Sequence, residues 1–249
     1  MSILGFDSSQ WQDAPETPVF IDANKAVAAG AKFAIARASY GLVPDRIFPR
    51  AFDGYRAAGL ITGAFQFADY RTYAKYNVQK FIQHLGGRVP DVNALDLENN
   101  DTYWPGMWPG NGANLTAWVW DWLTEYKAQA FTQKALLYIN TGALKQMRAN
   151  LPLLERIAAE MELWLAWWDP GEPPAEKYAP WTRYTILQPR PSAVGKKFGM
   201  ESGNLDLDYW NGSLEELKAF VGKNPAPPQP ELSDGVKLNR LWAAHPELH

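Results

Sequence analysis

The chain contains no cysteine. Disulfide staples and thiolate metal sites are thereby excluded, packing must hold the fold, and the redox compartment is left open. Histidine is scarce, with three residues in all. Two of them, His245 and His249, stand four apart in the closing HPELH, but without the glutamate placement of a zinc-protease motif. Cationic surface is scarce too: 24 Lys and Arg against 27 Asp and Glu give a formal net charge of −3, and no basic run occurs. That speaks against nucleic acid as a partner, because phosphate backbones are bound by clustered cations that displace counterions. Long hydrophobic runs are also missing. No stretch reaches the roughly 18 apolar residues of a membrane span, and MSILGFDSSQWQ lacks the charged start and apolar core of a classical export signal. No membrane association is expected, and a monomer is.

What the chain does have is bulk and aromatic surface. Its 249 residues are 47% hydrophobic, with 12 Trp, 11 Tyr and 11 Phe. One catalytic-sized α/β domain suits that length. Short apolar runs alternate with amphipathic stretches, as in βα units around a largely parallel sheet. Strands are expected near Ser2–Asp7, Phe33–Ser39, Ile61–Phe67, Val92–Glu98, Ala135–Ile139, Leu163–Trp168, Tyr184–Gln188 and Asn204–Leu207. Helices are expected over Asp22–Ala29, Ile47–Ala58 and Thr72–Leu85, each followed by a glycine that can stop it, and over Gly112–Ala130. In the last, Trp118, Trp122 and Tyr126 form a stripe at four-residue spacing, read as packing.

After the fifth strand, proline-rich text (DPGEPPAEKYAP, QPRPSAV) replaces the helical signals. The expectation is an irregular, TIM-like barrel over residues 1–221, five βα units followed by three strands with few helices. A proline-rich, extended linker (222–235) and a short tail (236–249), with Leu238, Leu241 and Trp242 at helical spacing, would follow.

In NALDLENND, Asp96 and Glu98 flank Leu97. Two residues advance about 6.6 Å along a strand and return to the same face, so both carboxyls can enter one pocket. In a parallel barrel all strands end at one rim, where functional groups gather. Asp7 closes the first strand, Asp96 and Glu98 the fourth, and Asp206 lies near the end of the eighth, beside the first once the barrel shuts. Crowded carboxyls between apolar walls cannot all ionise; one is held protonated. A protonated acid beside an ionised carboxylate is the equipment of a glycosidase. Three other readings stand beside it: solvated rim acids or helix caps, a hard-cation site for metal-assisted hydrolysis, and a barrel that binds glycan without cutting it. Survival of activity in a chelator separates the metal reading, and binding without cell-wall clearing would favour the last.

The residues resemble a family. GFDSSQWQ is similar to the opening strand of glycoside hydrolase family 25, the Chalaropsis-type lysozymes, written G-(I/V/F)-D-x-S-x-W-Q. FAIARASYG, ITGAFQF, NALDLEN, LYINTGAL, LWLAWW and NLDLDYWNGS resemble its later strands in order, covering about Ile3 to Phe220. The resemblance implies an incomplete α/β barrel and cleavage of the β-1,4 bond between N-acetylmuramic acid and N-acetylglucosamine in bacterial peptidoglycan, with no cofactor or metal. It makes Glu98 the proton donor. Asp96 would stabilise the acetamido group or the cationic intermediate, with Asp7 and Asp206 completing the acidic floor. Spacing leaves retention and inversion both open; the D-x-E motif's likeness to family 18 chitinases favours assistance by the substrate's own acetamido group. Substrate contacts are expected from Arg37, Phe65, Gln66, Tyr138, Asn140, Trp168 and Gln188, and Tyr103, Trp104 and Trp108 form an aromatic loop after the D-x-E strand. Phe65-Gln66 stands where the family commonly has Tyr-His, and Asp208, where it often has Asn, adds a fifth acid near the rim. A wall-cutting enzyme with this opening fits phage-lysin release, a virion-associated component, or a mature secreted form.

Overall fold

The computed structural model describes residues 2–13, 21–98, 112–129, 134–189 and 193–222. The aromatic loop at Tyr103, Trp104 and Trp108, the expected linker beyond Gly222 and the tail lie outside the described residues.

Eight strands close into a barrel. They are β1 (Ile3–Ser8), β2 (Phe33–Tyr40), β3 (Ile61–Phe67), β4 (Val92–Leu97), β5 (Leu136–Asn140), β6 (Glu162–Trp167), β7 (Ile186–Pro189) and β8 (Leu207–Trp210). Strands β1 to β7 run parallel in sequence order, and β8 closes the ring antiparallel to both β7 and β1. The expected eighth strand is thus displaced. Asn204–Leu205 instead pairs with Ala193–Val194 in a small antiparallel ribbon, and the barrel strand begins two residues later with its direction reversed. The physical reason is the connection. Among the described residues no long helix separates β7 from β8, and a parallel crossover usually needs one to carry the chain back.

The helices are α1 (Ala23–Ala28), α2 (Phe48–Ala57), α3 (Ala74–Leu85), α4 (Gly112–Ala128), α5 (Thr141–Met147), α6 (Leu151–Glu160), the single turn α7 (Ala175–Tyr178) and α8 (Leu214–Gly222). Asp22 caps α1 by accepting the Asn24 amide, and Gly86 ends α3 at φ 60, a conformation a Cβ would strain. Helical cover is regular as far as α6 and thin beyond it, as the proline-rich text implies.

The core has two parts. Strand residues pointing outward (Phe6, Ala34, Leu95, Leu97, Leu137, Leu163 and Leu165) pack against the helices. The α4 stripe belongs there: Trp122 and Tyr126 are fully buried and stacked at 5.1 Å. Trp118, partly buried, donates its indole N–H to the Thr72 carbonyl. Inward-pointing Phe33, Ile35, Phe65, Val92, Leu136, Trp164 and Trp210 fill the barrel itself. Gly5 is required there, because the Phe33 ring lies 2.4 Å from where a Cβ would stand. That packing plugs one end and leaves polar groups to line the other.

Candidate active site

A bulge shapes the mouth of β2. Arg37 pairs with Phe65 but Ser39 with Gln66, leaving Ala38 as the extra residue. Strict alternation would put Arg37 and Ser39 on one face; the bulge turns Ser39 outward. Arg37 points inward, almost fully buried, and its Nε donates to Asp45 Oδ2 at 2.9 Å. Asp45 also accepts the backbone amides of Gln10 and Ile47. It therefore ties together the segments that follow β1 and β2, and Arg46 adds a bond to Asp13 at 2.7 Å.

The acids meet as the strand ends require. Asp96 is inward on β4, 7% exposed, and hydrogen-bonded to Glu98 just beyond the strand. Glu98 also contacts the Tyr138 hydroxyl from β5. Tyr138 donates to Gln188 Oε1 at 2.7 Å, and Gln188 Nε2 donates to Asp7 Oδ2 at 2.7 Å. One hydrogen-bonded line thus runs Asp96, Glu98, Tyr138, Gln188, Asp7 across the mouth, drawing on β4, β5, β7 and β1. Asp206 is exposed on the segment leading into β8, and its charge is felt by both Asp7 and Glu98. It reaches the mouth because β8 runs antiparallel: its starting end, not its finishing end, lies at that rim.

Burial dominates the electrostatics. It raises Asp7, to which the Asp206 charge adds while the Gln188 hydrogen bond opposes. It raises Asp96, reinforced by the charges of Glu98 and Asp7. It raises Glu98, against the hydrogen bond from Tyr138 and with the Asp206 charge. Arg37 pulls all three down by a smaller amount. The site therefore stores protons that isolated carboxylates would release.

The remaining expected contacts divide. Phe65 lies inside the barrel, edge-on to Trp164 at 6.2 Å, and Trp168 stands just past β6 and is 46% exposed. Asn140 caps α5, accepting the Ala143 amide. Gln66 is a correction. It is 0% exposed and points away from the barrel interior, its Nε2 donating to the Gly41 and Asn77 carbonyls and Ser39 Oγ, its Oε1 accepting from Trp122. Neighbours on a strand face opposite sides, so Phe65 turned inward forces Gln66 outward. Asp208 is a second correction: it is no rim acid but fully buried inside the barrel, opposite Gly5, with Oδ1 accepting from Trp164 Nε1 at 2.8 Å. Sequence reasoning missed Asp45 as the partner of Arg37. It also missed Trp11, an exposed aromatic three residues past the end of β1, where the signal was an aromatic close behind a strand end, and Tyr73, exposed at the start of α3. Among the described residues no group of three or more His, Asp or Glu side chains is arranged to hold a metal ion.

A closed eight-stranded barrel whose rim gathers a hydrogen-bonded carboxyl pair and two further acids has the layout of a glycosidase site. Residues 6–189 match the model of the family described as Glycosyl hydrolases family 25, and the chain belongs to that family. It is a glycoside hydrolase. No curated protein matches the sequence. Solved structures match its fold. The bacterial lysozyme from Streptomyces coelicolor superposes with a TM-score of 0.72 at 24% identity, covering 90% of this chain and 99% of that one. The muramidase from Trichobolus zukalii gives 0.69 at 24%, covering 89% and 99%. The Clostridium perfringens spore cortex lytic enzyme SleM gives 0.68 at 21%, covering 86% and 69%.

Proposed function

We propose that the protein is a peptidoglycan hydrolase of the muramidase type, cutting the β-1,4 bond between N-acetylmuramic acid and N-acetylglucosamine, with Glu98 as general acid. The observation that carries this reading is the proton inventory around Tyr138. The phenol has one proton and two acceptors in reach, Gln188 Oε1 and the Glu98 carboxyl. Gln188 is oriented by its own donation to Asp7, so its carbonyl oxygen faces Tyr138. While the phenol donates to Gln188, its oxygen can accept the proton of a neutral Glu98. When Glu98 protonates the leaving oxygen, the O–H can swing to the new carboxylate and stabilise it. The acid is thus supported on both sides of the transfer.

Asp96, hydrogen-bonded to Glu98, is placed to orient the acetamido group of the bound sugar and stabilise the charge that develops as the glycosidic bond breaks; Asp7 and Asp206 complete the negative surface facing an oxocarbenium-like centre. Trp168, Trp11 and Tyr73 offer aromatic faces around the rim for the C–H faces of neighbouring sugars. The lysozyme and muramidase structures that share the fold support the choice of substrate.

The test is digestion of purified peptidoglycan followed by mass spectrometry of the reduced fragments. New reducing ends at muramic acid are expected, and Glu98→Gln should lower the rate by about 10²–10⁴-fold, the usual contribution of a general acid. Reducing ends at glucosamine, cut peptides, or full activity in Glu98→Gln would overturn the reading.

A further inference from the structure

Asp208 takes no part in the line of contacts just described, yet it is a carboxyl with no access to water. Its oxygens have different surroundings. Oδ1 accepts the Trp164 indole N–H. Oδ2 meets no donor among the described residues, while the Asp7 carboxyl lies within hydrogen-bonding reach. Asp7 and Tyr138 and, ahead of β8, Asp206 are the titratable groups that face it. Its neighbours Gly5 on β1, Trp164 on β6, and Ile186 and Gln188 on the inner face of β7 carry no charge. Among the described residues no cation pairs with Asp208, and two facing carboxylates would have one indole and one amide donor between them.

We propose that Asp208 is a positioning residue that acts as a neutral acid, donating its own proton to Asp7 and holding the Asp7 carboxylate in place at the mouth. A hydroxyl on Oδ2 satisfies the oxygen that otherwise lacks a partner. An indole can only donate, so it must face the carbonyl-type oxygen, and Oδ1 is where it does so. The proton belongs on Asp208 rather than Asp7, because Asp7 is partly exposed and already accepts an amide N–H, as an ionised carboxylate should. Burial and the Asp7 charge both push Asp208 upward, the Trp164 bond opposing. The inference rests on the muramidase reading for its catalytic consequence but not for its proton.

The experiment has two arms. In Asp208→Asn the amide can accept from Trp164 and donate to Asp7, so activity on peptidoglycan at neutral pH should stay within about threefold of wild type, whereas Asp208→Ala should lose about tenfold or more, by analogy with removal of a charge-assisted hydrogen bond. The second arm uses no substrate. If folded Asp208 keeps a proton that the unfolded chain releases near pH 4, wild type loses stability relative to Asp208→Asn as pH rises, and the gap in Tm should move in favour of Asn by about 5 °C or more between pH 4 and pH 7. A gap that stays constant with pH, or Asn as inactive as a folded Ala variant, overturns the proposal. Should Ala fail to fold, the Asn arms decide alone. An inactive wild type with a pH-dependent gap would count against the muramidase reading and for the proton on Asp208.

Discussion

At the scale of single residues, the proton line makes a claim that one atom can test. Tyr138→Phe removes the hydroxyl that stabilises Glu98 once it is ionised, and leaves Gln188 Oε1 without its donor. The hydrogen bond holds the Glu98 carboxyl down against burial, so its loss should move the alkaline limb of kcat/KM to higher pH. The rate at the optimum should fall about tenfold, the worth of one hydrogen bond to a charged group. A pH–rate profile on soluble glycan fragments reads both, and an unmoved limb would separate Tyr138 from the acid. The Asp96–Glu98 pairing was legible in LDLE because period-two alternation is a property of the backbone. The same rule, applied to Phe65-Gln66, forbids both from facing the mouth. Which of the two turns inward was not legible. That is decided by Trp122 on α4 and the Asn77 carbonyl on α3, which claim the Gln66 amide from the other side.

Among elements, the bulge at Ala38 and the reversal of β8 are the features that the linear sequence concealed. A bulge leaves no compositional mark in FAIARASYG, yet it lets Arg37 face the acids while Ser39 faces Gln66. The eighth strand was expected two to three residues early, because Leu205 and Leu207 both read as apolar members of one run; the structure divides them between a ribbon and the barrel. Asp206 reaches the mouth all the same, since an antiparallel strand presents its start where parallel ones present their ends. The joint between β3, α3 and α4 gives the prediction at this scale. Gln66→Ala strands the Trp122 indole N–H and the Gly41 carbonyl in a region closed to water, while the Asn77 carbonyl keeps its amide partner within α3. Each buried group so orphaned costs about 1–3 kcal/mol, and urea unfolding should show a loss of about 3 kcal/mol overall. Rate per folded molecule should be near wild type, because Gln66 does not face the mouth; a variant of unchanged stability and impaired rate would restore it to the substrate site.

For the whole molecule, closing the barrel brings together acids from strands that are far apart in the chain, and that assembly should be measurable without any sugar. Asp7, Asp96, Glu98 and Asp208 are all held above the ordinary carboxylate range, burial being the first cause for each. Unfolding releases them to values near 4. Above that pH the native state binds more protons than the unfolded chain, so its stability falls as pH rises, by about 1.4 kcal/mol per pH unit for each extra proton held. The contribution is full below about pH 4 and is lost as pH climbs through the folded values. This is the reverse of the usual carboxylate behaviour, in which ion pairs make acid the destabilising direction. Partly exposed ion pairs such as Arg46–Asp13 and Arg71–Asp69 are screened by solvent and contribute little. Tm should therefore be highest on the acid side, near pH 4, and decline as pH rises from there. In Asp96→Asn/Glu98→Gln, which removes two of the carboxyls held above the ordinary range, the decline should be visibly shallower. Calorimetry as pH is raised checks it: a Tm that rises from pH 5 to pH 8 would mean that the acids ionise freely in the fold, and with them would go the reason for placing a protonated carboxyl at the mouth.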